Sequence, residues 1–271
     1  MIRAIAKELV DMIDISTFER LPLPRFGREV PTTLVLKVKH RADGSWEKDK
    51  ARLVVQGFRQ VVGRDFHATF SPMASFVNVR ILLSLACTNG WRVMHGDIPQ
   101  AFLRSRIDSD MYVSLAKGVQ LIDKATGLPY NHNGDALKLR RALYGCRQSP
   151  QLFNKVVNQF FVEELGWVRG ENESCLYHHF DPVTGDIAIA LLEVDDVLMT
   201  SNSDAVIEKF YTMLNAKFGV GHSITWEPVS SFMGVNVVYD RSARELTLDV
   251  AAKISTLFAD HSLLRMLPTK A

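Results

Sequence analysis

An α+β fold is what this sequence predicts, with helices and antiparallel hairpins following one another irregularly along the chain. Three observations lead there. Ser75 to Thr88 and Ser149 to Leu165 carry apolar residues every three or four positions, which is helical spacing. Residues 33–56 and 187–199 instead pair β-branched or apolar runs across a turn, which is the pattern of a hairpin. Finally, 271 residues with 47% apolar and 23% charged composition can bury a substantial core as one large domain or two lobes.

The elements follow in order. MIRAIAKELVDMIDISTFER brings in acids by Glu8 and Asp11 and has no small-residue cleavage site after an apolar run, so it reads as a helix and not a signal peptide. A hairpin is expected over residues 33–39 and 51–56, turning at Ala42-Asp43-Gly44. Val77, Ile81, Leu82, Leu85 and Ala86 then give a helix that Asn89-Gly90 stops. A short strand, Trp91 to His95, leads into Asp97, and Pro99 to Arg104 is a short helical segment. Ser149-Pro150 supplies an N-cap and a first-turn proline for a helix that runs through Phe153, Val156, Val157, Phe160, Phe161 and Leu165. After Gly185-Asp186, apolar runs on either side of Asp195-Asp196 make a hairpin with two carboxylates at its tip. Phe232 to Val238 is a further strand, and Ala251 to Leu264 a helix.

Several classes are excluded or disfavoured. No apolar run approaches the roughly 20 residues that a membrane helix requires. Cys87, Cys146 and Cys175 lie far apart with no C-x-x-C pair, which suits neither a disulfide framework nor a zinc cluster. No Walker-type phosphate loop is present, which argues against an ATPase. The net charge of +2 does not announce a nucleic-acid binder, but basic residues gather locally. Lys138, Arg140, Arg141 and Arg147 occur within ten residues without an acid, and a solvated face and a binding surface both account for them.

Adjacent aspartates between buried strands repel unless a cation sits between them. Magnesium prefers hard oxygen ligands and keeps waters and substrate phosphates in its shell, so a few carboxylates without a protein cage suit it. On residues alone, a solvated turn and a metal site both explain Asp195-Asp196, and Asp97 could cap a helix or ligate an ion. A strand laid beside the hairpin would bring Asp97 next to Asp195, and three converging acids could hold a metal pair.

Five blocks make the pattern specific: KARLVVQGFRQVVGRDFHATFSPMASFVNVRILLSLA, HGDIPQAFL, LKLRRALYGCRQSPQLFN, LLEVDDVLM and SSFMGVNVV. In order and spacing the chain resembles the reverse-transcriptase domain of Copia-type LTR retrotransposon polyproteins (Pseudoviridae). That resemblance implies a right-hand polymerase: fingers over about 1–90 and 110–150, palm over about 91–109 and 151–240, and an incomplete thumb or connection beginning at 241–271. It implies Asp97, Asp195 and Asp196 as catalytic ligands of two magnesium ions, with manganese as the alternative metal. Phe102 matches the ring that excludes a ribose 2′-hydroxyl, its other reading being a packed core residue. Lys50 and Arg52 match residues that hold the incoming deoxynucleoside triphosphate, Tyr144 and Gly145 the lining of its pocket, and Phe232, Met233 and Gly234 the hairpin that holds the primer. The implied partners are an RNA or DNA template with its primer, and the integrase and ribonuclease H portions of a polyprotein. The implied location is a cytoplasmic virus-like particle or the nucleus.

Departures from the family pattern matter too. Glu193 stands where an aromatic is usual, and its charge is expected to face primer or template phosphates and weaken their binding. The usual tryptophan is missing from MIRAIAKEL, and the sequence stops at a short thumb, so a fragment or a decayed or co-opted copy is expected. RNA-directed DNA polymerase is the leading function. A non-catalytic nucleic-acid-binding or scaffold protein is the alternative, and KARLV with LYG argues against another palm-type enzyme such as a nucleotidyl cyclase.

Overall fold

A computed structural model describes residues 1–25, 27–40, 45–122, 127, 129–130, 135–251 and 254–255. In chain order the elements are α1 (Ile2–Asp14), β1 (Phe18–Pro22), β2 (Glu29–His40), β3 (Trp46–Val55), α2 (Phe76–Asn89), β4 (Arg92–Asp97), β5 (Tyr112–Ser114) and β6 (Asp135–Leu139). There follow α3 (Ser149–Gln159), β7 (Val168–Arg169), β8 (Leu176–Phe180), β9 (Ile187–Glu193), β10 (Asp196–Ser201) and α4 (Asp204–Phe218). The last are β11 (Thr225–Pro228), β12 (Ser231–Phe232), β13 (Val235–Asp240) and β14 (Glu245–Asp249). The fold is α+β. No helix among the described residues is long and apolar enough to cross a membrane.

The chain divides into two compact units, the first Met1–Pro72 with Gln100–Gln159, the second Met73–Pro99 with Phe160–Ala271. In the first, five strands lie in the order β1-β6-β5-β2-β3. Met12, Val30, Leu53, Val113, Leu137 and Leu139 close its core beneath α1. The expected hairpin is β2 against β3, although its turn at Ala42-Asp43-Gly44 lies outside the described residues. Backbones meet closely where β3 ends. The Val55 amide donates to the Tyr144 carbonyl at 2.8 Å. A Cβ on Gly145 (φ +86°) would stand 2.1 Å from the Val55 oxygen, and one on Gly57 2.0 Å from the Gly145 oxygen, so only glycine fits at either.

The second unit has a six-stranded sheet in the order β11-β4-β10-β9-β8-β7 and a three-stranded sheet β12-β13-β14. Val93, Leu191 and Leu198 on one face of the larger sheet pack with α2 and with Phe232 and Val237. An aromatic cluster of Phe160, Phe161, Trp167, Tyr177 and Phe210 fills the other part of the core. Gly96 is required by Trp226, whose ring atom Cε3 would lie 2.7 Å from any Cβ there.

Four expectations change in detail. α2 has Ser75 as N-cap and left-handed Gly90 as its stop, but it buries Val79, Leu82, Leu83 and Ala86 and exposes Val77 and Ile81. The helix is apolar on more than one face, so spacing alone cannot choose the buried one. Ser149 does not cap α3 through its side chain: its Oγ donates to the Leu143 carbonyl at 2.6 Å. The same helix ends in a π-helical turn, Phe160–Glu164, closed by Leu165 N–H to Phe160 O at 3.0 Å. The strand expected from Phe232 to Val238 is instead the hairpin β12-β13, turning at Met233 (φ +51°) and Gly234 (φ +76°). The helix expected from Ala251 to Leu264 falls largely outside the described residues.

Glu8 on α1 is half-buried against β3. Burial pushes its carboxyl above the usual range, and the Leu53 N–H and the Arg52 charge oppose this only in part. The folded state therefore holds this proton more readily than the unfolded chain, so the group favours folding in acid and loses that contribution as pH rises through its raised value. Glu8→Gln, which keeps the oxygen acceptor, is expected to raise the melting temperature near pH 8. The gain should shrink toward about pH 4, as thermal scans across pH would show.

Candidate active site

β4 runs antiparallel beside β10 with Asp97 opposite Asp196, Gly96 opposite Val197 and His95 opposite Leu198. The Ile98 amide donates to the Asp195 carbonyl at 2.8 Å. That bond joins the residue after Asp97 to the residue before Asp196, which makes the two aspartates a non-hydrogen-bonded pair, the narrow kind with Cα atoms about 4.5 Å apart. Their side chains share one face at the end of the sheet. A slip by one residue would move Leu198 and Val93 away from the face packed against α2 and exchange the partners of every side chain on both buried faces.

Glu193 lies opposite Asp196 on the other neighbour, β9, so three acids from three adjacent strands form a row on one face. Like charges so placed destabilise a sheet unless something engages them. Two of them are engaged. His95, two residues before Asp97, places Nε2 3.0 Å from Asp196 Oδ1, and the Asp196 side chain stays 39% exposed. Glu193 Oε2 accepts from the buried Ala74 amide at 2.7 Å, just ahead of α2, while Glu173 takes the Ser75 amide and the Asn78 side chain. Glu193 thus also tethers the approach to α2, a contact that the sequence did not reveal.

The hairpin tip is tighter than the sequence suggests, since Asp196 already belongs to β10 and only Val194 and Asp195 turn the chain. Val194 has φ +54°, a conformation that a β-branched residue adopts only under strain. Among the described residues no group of three His, Cys, Asp or Glu side chains is gathered into a metal centre. The donor chemistry nevertheless suits magnesium, which takes one or two protein carboxylates and keeps waters and phosphates for the rest. Asp97 and Asp196 are the two that the register sets side by side.

The remaining predicted residues fall into two groups. In the first unit Phe102, Tyr144 and Arg52 are brought together: the two rings meet edge-on at 5.0 Å, and the Arg52 guanidinium lies 4.3 Å over Tyr144. Phe102 also touches Phe153 at 6.4 Å, and Gln100 holds the start of its 3₁₀ turn through Asp11 at 2.8 Å. Lys50 shares the β3 face of Arg52 but lies opposite Lys37, one step away from this stack. Gly145 serves the backbone contact with Val55 described above. In the second unit Phe232 is buried and meets the His95 ring edge-on at 5.7 Å, and Met233 and Gly234 form the turn beside it.

Sequence reasoning missed His95, whose signal was its two-residue offset from Asp97 on a strand. It also missed the buried pair Gln60 and Gln148, hydrogen-bonded at 3.0 Å, with Gln148 donating to the Asp65 carbonyl at 2.8 Å. Nothing in the sequence marks two glutamines so far apart as partners.

A family model described as reverse transcriptase (RNA-dependent DNA polymerase) matches residues 15–268. The chain belongs to that family. It is 27% identical over 249 residues to the Retrovirus-related Pol polyprotein from transposon TNT 1-94 of Nicotiana tabacum, covering 92% of this chain and 18% of that protein. It is 28% identical over 263 residues to the corresponding polyprotein from transposon RE1 of Arabidopsis thaliana, covering 94% of this chain and 17% of that one. The Transposon Ty1-DR4 Gag-Pol polyprotein of Saccharomyces cerevisiae is 23% identical over 163 residues, 59% of this chain and 9% of the yeast protein. The chain is a reverse-transcriptase domain of the Copia type and spans less than a fifth of the length of these relatives.

The Glu193 contact gives that residue a structural role in this domain. Replacing it with tyrosine removes the acceptor of the buried Ala74 amide, at a cost of about 1–3 kcal/mol. Glu193→Tyr is therefore expected to unfold at lower denaturant than the parent, whereas Glu193→Gln, which retains an oxygen, stays close to it. A tyrosine variant that is as stable as the parent and extends primers better would restore the view that Glu193 merely repels nucleic acid.

Proposed function

We propose that the chain is an RNA-directed DNA polymerase that transfers deoxynucleotidyl units to a primer 3′ end, releasing pyrophosphate. The observation that carries this reading is the Asp97–Asp196 narrow pair, an exposed like-charge pair on a rigid sheet that gains by taking up a cation. Asp97 and Asp196 would hold magnesium with Asp195. When bound, two such ions stabilise the attacking and leaving oxygens of an in-line displacement. His95 orients Asp196, and Phe232 behind it couples the primer-holding hairpin of Met233 and Gly234 to that carboxylate.

The stack of Arg52, Tyr144 and Phe102 supports the nucleotide half of the reading. A guanidinium fork grips a triphosphate bidentately, with Lys50 as a second cation and Tyr144 and Gly145 lining the pocket. The Phe102 ring, packed between Tyr144 and Phe153, would meet a ribose 2′-hydroxyl and so favour deoxynucleotides. On this reading the first unit supplies most of the fingers, and the second supplies most of the palm and the start of a thumb. The template is RNA or DNA, and integrase and ribonuclease H portions of a polyprotein are its proposed partners. The site of action is a cytoplasmic virus-like particle or the nucleus.

Primer extension on an RNA template with magnesium tests the proposal. The parent should extend, and Asp97→Asn or Asp196→Asn should lose at least about a hundredfold, roughly 3 kcal/mol of transition-state stabilisation. A parent that binds primer and template tightly without extending them would mark a non-catalytic nucleic-acid-binding protein instead.

Phe102 has its own test. Phe102→Val should admit ribonucleotides about tenfold or more better relative to deoxynucleotides. An active variant with unchanged sugar discrimination would leave the ring as core packing and nothing else.

A further inference from the structure

The first unit contains a second like-charge pair, and it is basic. Arg106 and Arg141 face each other in an isolated antiparallel bridge. Ile107 N–H donates to the Arg140 carbonyl at 3.3 Å, and Ala142 N–H to the Ser105 carbonyl at 3.0 Å. Those two bonds flank the pair on both sides, so Arg106 and Arg141 occupy a narrow position, as Asp97 and Asp196 do in the other unit. Two guanidinium groups on one face repel, and proximity to Arg141 adds to burial in holding the nearby Arg104 below its usual range.

The pair lines a cavity of about 910 Å³ together with Arg64, Lys138 and Arg140. Its acids are Asp108 and Asp110. The neighbours are already matched: Lys138 holds Asp110 at 2.5 Å, Arg140 pairs with Glu19, and Arg64 lies 3.9 Å from Asp65. Among the described residues no ion-pair partner faces Arg106 or Arg141. A volume of this size suits a ligand larger than a single small ion. Paired guanidinium forks match phosphate oxygens in geometry as well as in charge.

The geometry points to a phosphate-binding site in this cavity, with Arg106 and Arg141 as its anion ligands, separate from the Arg52 stack and independent of polymerase activity. The ligand carries two or more phosphates, as a free polyphosphate does or as successive phosphodiesters of a nucleic-acid strand do. This assigns a use to the basic run Lys138–Arg141 that the polymerase reading leaves idle.

Hydrogen exchange with tripolyphosphate or with a short single-stranded RNA as probe tests it. Either probe should protect residues 105–110 and 138–142 in the parent, and the probe that does so identifies the source of the phosphate. Arg106→Gln with Arg141→Gln should lose that protection and weaken binding there at least tenfold. Lys37→Gln, which alters a charge on β2, should not. Protection at 50–55 reports the Arg52 stack separately, so failure of one site does not imply failure of the other. Relief of the repulsion also predicts that the ligand-free double variant melts no lower than the parent at low salt. If that variant does not fold, Arg106→Gln alone, at an exposed position, gives the same comparison. No protection of 105–110 and 138–142 by either probe, or equal protection in the parent and the folded variant, would overturn the site.

Discussion

The register between β4 and β10 is the constraint on which the second unit depends. Val93, Met94, Val197, Leu198 and Met199 are all buried, so a change of alignment would repack both faces of the sheet at once. The existing alignment sets Asp97 opposite Asp196 whatever the mutual repulsion costs. The electrostatic demand is thus a by-product of apolar packing, and the sheet supplies the energy that holds two negative charges face to face. His95 and the Ala74 amide then engage two of the three carboxylates, Asp196 at the centre of the row and Glu193 at its end.

The same logic describes the tip. A two-residue connection between two fixed strands leaves Val194 no choice but a positive φ, so the strain is imposed by the ladder on either side. A rigid frame of this kind suits carboxylates that must present oxygens in one direction without rearranging. Behind the frame, Phe232 and His95 carry packing from the three-stranded sheet to the acid, so one hydrophobic core positions both the hairpin and the charge.

Much of this was legible in the sequence because it is local and periodic. The hairpin at Asp195-Asp196, the strand before Asp97 and both long helices follow from spacing and turn residues. What was hidden is long-range or two-sided. α2 is apolar on more than one face, so its buried face depended on what packed against it. The tether made by Glu193 was hidden because its partner is a backbone amide 119 positions earlier, which no side-chain pattern can announce. The strand expected across Phe232–Val238 failed at Met233-Gly234, where a turn requires two consecutive positive φ angles and the methionine gave no warning. Gln60 and Gln148 are invisible for the same reason as Glu193: their chemistry is defined only by each other.

The interlocked glycines at 57 and 145 have an evolutionary consequence. The Gly145 oxygen fills the space a side chain at 57 would need, and the Val55 oxygen fills the space a side chain at 145 would need. A side chain gained at one position cannot be accommodated by a change at the other, since both would drive the same backbones apart. For a copy drifting without selection, the route to inactivity is therefore short and does not pass through the acids. One substitution at either glycine would disengage β3 from the Tyr144 segment while Asp97, Asp195 and Asp196 stayed intact, so three surviving aspartates are a poorer witness of an intact fold than two surviving glycines.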